Sequence, residues 1–419
     1  MKKLLVLFVC LLMVLGAVGC KPKDDRTVLV FWGHQNDAWN ASWREIAKKF
    51  EADNPDIRIQ FEFFPYDEFE AKATTSLIKK EQGADIYEMW GGWGVDFAPT
   101  GVLAALPDDL AKMIKEEFYA PTYGALEVNG KIYGFPLEFN IECGGLIVNN
   151  DLLKEVGAKI PTTWNELISE AKKAVKFDGE LMRRKGFEFV NWDSTPYLFS
   201  SMILSKGGQY LDANGKFTYN TAIGREAYQT LADLIDVVTD MDGISGGGDM
   251  EGYQLLFAGE CMFAMRGPWV IPEGVEEFKL TYGKEFTYVE LPWWGSEKKF
   301  PTETGWAVAI NSGSANTDAA FRFLKFVAHD DILLQHNIAC AQIPAKKAVA
   351  QDPELLKEVP FFAPLVKLLD GGQFIGFFNT DILKEAITEN FEEFINGDYD
   401  TVADALAALD ARLNEAINK

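Results

Sequence analysis

Between residues 28 and 90 the sequence switches back and forth between two hydrophobic periods, and that alternation leaves few architectures open. Val28 to Trp32 is a short β-type run. Trp39, Trp43, Ile46, Ala47 and Phe50 then recur at helical spacing, and Asn54-Pro55 ends the helix they mark. Ile57, Ile59, Phe61 and Phe63 alternate with Arg58, Gln60 and Glu62, the period of a half-buried strand. A second helix runs to Gly83, and Asp85 to Trp90 is again strand-like. Such βαβαβ order predicts an α/β fold built on a parallel, doubly wound sheet with right-handed crossovers.

Tryptophans follow the ends of β-type runs at Trp32, Trp90, Trp192, Trp269 and the pair Trp293 and Trp294. In open α/β sheets ligands occupy the crevice beyond the carboxyl ends of the strands. Indoles gathered there present flat apolar faces, which suit a solute with apolar faces and a polar edge, such as a sugar ring.

At 419 residues the chain exceeds what one core usually holds, so two or more domains are expected. A formal charge of -23 argues against nucleic acid as a partner, since phosphate backbones need clustered Lys and Arg. Residues 1–19 have the form of a processing signal: Lys2 and Lys3, an apolar stretch from Leu4 to Leu15, then small residues before Cys20. The apolar stretch is shorter than a bilayer-spanning helix. The junction resembles a bacterial lipoprotein cleavage box, although Ala17 stands where Leu is usual. It implies lipidation of Cys20, with residues 20–25 as a tether, and an extracytoplasmic protein held at the membrane. Cys143, Cys261 and Cys340 would then remain, enough for at most one disulfide, and each is expected to be a small core residue.

Farther along, Thr163-Trp164-Asn165-Glu166 is a capping box that makes Trp164 structural. Ala227 to Val238 has helical spacing, and Asp212 to Gly215 forms a hairpin turn. Helices are expected around Ala319 to Val327, 381–396 and 400–418. Catalytic signatures fail. There is no P-loop, no H-E-x-x-H and no clustered Cys/His metal set, so neither cofactor nor metal is expected. Gly243 to Gly247 matches G-x-S-x-G but follows a helix and opens a Gly-rich stretch, the wrong context for a nucleophile. Glu138 and Glu142 are carboxylates near aromatic segments, the raw material of a glycoside hydrolase, but no coherent catalytic set accompanies them.

The stretch NGKIYGFPLEFN at 129–140, then GGLIVNNDLLKEVGAKIPTTWNEL, resembles sugar-binding (family 1) solute-binding proteins of bacterial ABC transporters. LFAGECMFAMRGPW at 256–269, TGWAVAINSGSANTDAAFRFLKFV at 304–327 and the C-terminal tail extend the resemblance over the mature chain. The resemblance implies the two-lobed periplasmic binding protein type II fold, each lobe a mostly parallel sheet flanked by helices, joined by a hinge. The N-terminal lobe would comprise 26–137 plus 306–344, and the C-terminal lobe 138–305 plus 345–419. The chain would cross near Phe135–Asn140, Thr304–Ala307 and Ile343–Ala345. It also implies a monomeric, non-enzymatic receptor that delivers its solute to the transmembrane permease of an importer.

For a carbohydrate, aromatic platforms and polar groups that bond hydroxyls are needed together. The platform candidates are Trp192, Trp269 and Trp306, followed by Trp32, Trp90, Trp93 and Trp293; Trp43 reads as core. Polar candidates are His34, Asp37, Glu138, Asn140, Asp193 and Arg266. Many platforms favour an oligosaccharide. The alternatives are another small polar solute, such as a polyol or a glycerol-phosphate-like compound, and a secreted carbohydrate-active hydrolase.

Overall fold

The computed structural model describes residues 25–79, 83–241 and 252–417. Cys20 and the Gly243–Gly247 motif lie outside the described residues. In chain order the strands that build the two main sheets and the junction between them are β1 (Thr27–His34), β2 (Ile57–Phe64), β3 (Ile86–Trp90), β4 (Phe135–Pro136), β5 (Gly145–Asn149), β6 (Lys176–Asp178), β7 (Leu181–Glu188), β8 (Cys261–Met265), β9 (Phe286–Glu290), β10 (Phe300–Thr302), β11 (Trp306–Ile310) and β12 (Gly372–Phe374). One sheet has the order β2-β1-β3-β11-β4, and the other β9-β5-β8-β7-β6. Two lobes result, and the chain passes between them after β4 and again before β11.

The expected helices form for the expected reasons. In Asp37–Asp53 the Asn36 side chain caps the first turn, and Trp39, Trp43, Ile46, Ala47 and Phe50 form the buried stripe. Thr163 and Glu166 make the predicted capping box, with Trp164 and Leu167 buried behind it. The last two helices run Thr380–Ile395 and Val402–Ala416. The helix at 227 is shorter than its spacing suggested. It ends at Ala232, and Leu234, Ile235 and Val238 are buried from a turn in which Asp236 has φ 61°.

Strand direction also departs from a mostly parallel expectation. In the first sheet β1 pairs parallel with β2 and β3, whereas β11 runs antiparallel to both β3 and β4. In the second only β8–β7 is parallel. The physical reason is connectivity. A strand that enters a sheet from the other lobe, as β11 does, arrives without the crossover helix that would turn it parallel.

At the junction three segments lie side by side. Leu137 N–H donates to the Trp306 carbonyl (2.9 Å) and Phe139 N–H to that of Ile343 (2.7 Å). Single antiparallel bridges pair Glu138 with Pro344 and Phe139 with Thr304. Beside them β10 and β12 form a two-stranded parallel ribbon. Each lobe keeps its own apolar core, one around Phe31, Trp43 and Phe323, the other around Phe187, Phe199 and Tyr228. Cys143, Cys261 and Cys340 are free and buried.

Candidate functional site

A cluster of polar and aromatic side chains collects where the two sheets approach the junction. Its centre is Glu303, just after β10 and only 1% exposed. That carboxylate accepts from Trp90 Nε1 (3.1 Å) at the end of β3 in one lobe. It also accepts from the Tyr197 hydroxyl and pairs with Lys384 Nζ (3.2 Å), both in the other lobe. Lys384 further meets Asp193 (3.3 Å) and Asp381 (3.8 Å). Asp193 in turn is held by Arg266 (2.8 Å), which comes from the turn after β8. A buried charge is tolerated only when paired and hydrogen-bonded, and this chain of contacts supplies both.

Two large indoles stand open above this network. Trp192 is 43% exposed and Trp269 44%. Lys384 lies 5.1 Å from the centre of the Trp192 ring, and Arg266 lies 5.0 Å from that of Trp269, within cation–π range. Trp269 Nε1 donates to both Glu142 oxygens (3.1 and 3.2 Å), which orients the ring. Exposed indoles held over paired charges are a combination that suits a solute with apolar faces and a polar edge.

The electrostatics divide the carboxyls into two kinds. Against the burial that would raise it, Arg266 and Lys384 hold Asp193 below its ordinary value. Burial pushes Glu138 up to about 8, with the Glu142 and Glu88 charges adding to the shift and the Trp306 N–H opposing it. Burial also raises Glu142, opposed by the Arg266 charge. Lys384 is held above its ordinary value by Glu303, Asp193 and Asp381, against the burial that would lower it.

Trp90, Glu138, Trp192, Asp193, Arg266, Trp269 and Trp306 are thus brought to one region, with Glu138 accepting from the Trp306 N–H at 3.0 Å. His34 stacks on Trp306 (4.2 Å, 25°), with Nδ1 3.6 Å from the buried Glu88. Both rings are buried, Trp306 being 9% exposed. Asn140 is buried at the junction, where its carbonyl accepts from the Thr302 hydroxyl. The rest lie elsewhere. Trp93 is 6% exposed and packs against Phe69. Asp37 is an exposed residue of the first helical turn. Trp293 bonds Glu290 (2.9 Å) and packs near Phe300. Trp32 packs edge-on against Phe64 and Tyr87 and lines a separate hollow with Lys72, Thr75, Ser76 and Lys79.

Residues that sequence reasoning missed are Lys384, Glu303, Tyr197 and Tyr66. Lys384 had a signal. It falls on the same helical stripe as Thr380, Leu383, Ile387 and Phe391, all buried, where a lysine is out of place unless paired. Glu303 directly precedes the TGW motif but carries no pattern of its own. Tyr197 lies in a helix buried on every side, so no stripe singles it out. Tyr66 opens the helix Tyr66–Lys79, and its ring centre lies 6.0 Å from that of Trp306.

The family model for bacterial extracellular solute-binding protein matches residues 35–332. A probable ABC transporter-binding protein of Deinococcus radiodurans is 26% identical over 309 residues, covering 71% of each chain. The arabinooligosaccharide-binding protein of Bacillus subtilis is 26% identical over 343 residues, covering 78% of this chain and 76% of its own. Among solved structures, the GacH receptor of Streptomyces glaucescens, studied unliganded and with acarbose, superposes with a TM-score of 0.75 at 22% identity, covering 94% of this chain and 99% of the receptor. The likeness is to a two-lobed fold.

Proposed function

This chain belongs to the bacterial extracellular solute-binding protein family, and from that premise we propose that it captures a carbohydrate, an oligosaccharide, between its lobes and delivers it to the permease of an ABC importer. The observation that carries this reading is the pair of exposed indoles, Trp192 and Trp269, over the paired charges of Asp193, Arg266, Glu303 and Lys384. Sugar C–H faces stack on the indoles while hydroxyls bond the charged groups. The relatives named for arabinooligosaccharide and studied with acarbose support the same solute class.

In this reading the lobes are 26–137 with 306–344 and 138–305 with 345–419, and the three junction segments serve as the hinge. Trp90, Trp306 and Tyr66 then form one wall and Trp192 and Trp269 the other. The protein acts as a monomer, tethered outside the cytoplasm through lipidated Cys20, and releases its sugar unchanged.

The test is a thermal-shift and tryptophan-fluorescence screen of the mature chain against neutral oligosaccharides. A ligand that binds only the folded state raises the unfolding temperature by mass action. At least one saccharide is expected to move both signals. Trp192→Ala and Trp269→Ala should each weaken that response about tenfold or more, with a loss of stability under about 1 kcal/mol, since both rings are half exposed. Unchanged affinity in both variants would remove the indoles from the site.

A further inference from the structure

We infer that the cleft is a charge filter that accepts uncharged saccharides and rejects acidic ones, because both of its cations are already held by carboxylates while further carboxyls line the approach. This rests on the saccharide reading above and narrows its substrate class.

An anionic sugar, a uronate or a sugar phosphate, needs converging cationic groups with donors to spare. Among the described residues the site has two cations, Arg266 and Lys384, and each is engaged. Arg266 is 3% exposed, paired with Asp193 at 2.8 Å and directed also to Asn191 at 3.5 Å. Lys384 has an 11% exposed side chain and is surrounded by Glu303, Asp193 and Asp381 at 3.2, 3.3 and 3.8 Å. Freeing Lys384 for an incoming anion would strand the buried Glu303 carboxylate, and freeing Arg266 would take from Asp193 the nearer of its two ion pairs.

The facing surfaces add further carboxyls. Glu142 lies under the exposed Trp269 ring and within electrostatic reach of Asp193. From the other lobe, Glu70 on the helix Tyr66–Lys79 is within electrostatic reach of Asp381 and Asp96. Tyr66, on the first turn of that helix, is influenced by Glu303, Asp381 and Lys384. Carboxylates and carboxyls accept or exchange hydrogen bonds with neutral hydroxyls at no charge penalty. Toward a bound anion the same groups are repulsive, and specificity is carried as much by that repulsion as by attraction. Repulsion between partly exposed charges is screened by salt, so the preference has an ionic-strength signature.

The mature full-length chain is titrated calorimetrically with maltotriose, cellotriose, xylotriose and arabinotriose as neutral probes. Trigalacturonate and glycerol 3-phosphate are the anionic ones, and each titration is run at low and at high salt. The expected result is that the tightest neutral probe binds at least about tenfold more tightly than either anion at low salt, with the gap narrowing at high salt. Asp381→Asn, at a side chain 56% exposed, should narrow the low-salt gap about threefold. If trigalacturonate binds as tightly as the best neutral probe, the charge filter is overturned while the saccharide reading stands. If glycerol 3-phosphate alone binds, or no probe does, both are overturned.

Discussion

Lys384→Met is expected to cost about 3–5 kcal/mol of folding stability, because it leaves Glu303 buried and without its countercharge. The Lys384 ammonium ties Glu303, Asp193 and Asp381 together, and its side chain is 11% exposed. Glu303 keeps the Trp90 and Tyr197 donors, so the cost is that of an uncompensated charge and not of a wholly unbonded one. Equilibrium urea unfolding at neutral pH measures it. Lys384→Arg, which preserves the charge, should recover part of the loss. A loss below about 1 kcal/mol for the Met variant would mean that the network contributes no more than a surface ion pair.

Glu138→Gln should have the opposite sign. The Glu138 carboxyl is raised by burial to about 8 in the folded protein, from 4.5 as its ordinary value. A carboxyl raised in this way imposes no cost while it is protonated in both states. As pH rises past 4.5 the unfolded chain ionises first, and stability falls until the folded group ionises near 8. The Gln variant removes that dependence. It should therefore be more stable than the parent at pH 8, by up to a few kcal/mol, and close to it near pH 4. Gln can still accept the Trp306 N–H, which leaves the junction geometry in place. Thermal unfolding of both proteins across this pH range is the check, and parallel profiles would contradict the burial of Glu138.

Much of this fold was legible because the elements of the first lobe follow each other locally. The period change from Trp43 and Phe50 to Ile57 and Phe63 needs no partner from far along the chain. The capping box at Thr163 is likewise a local signal. Strand direction was not legible, since β11 takes its place beside β3 only after more than two hundred intervening residues. The site shows the same division. Trp192, Asp193, Arg266 and Trp269 lie at or just after the ends of β-type runs, where position alone flags them. Lys384 and Glu303 matter through each other, across eighty residues of sequence, and only the folded chain brings them to 3.2 Å. Trp32 and Trp93 show the limit of the strand-end rule. Trp32 lies inside β1 and Trp93 just after β3, and the two pack beside the helix Tyr66–Lys79 with Phe64 and Phe69 respectively.

The most direct test of the central claim is to titrate the mature chain with the neutral oligosaccharide that gives the largest thermal shift and to recover the bound sugar. The expected result is saturation at one saccharide per chain, recovery of that saccharide intact with no new reducing ends, and loss of saturation in the Trp192→Ala, Trp269→Ala double variant. Catalytic release of shorter sugars, or saturation that persists in the double variant, would contradict it.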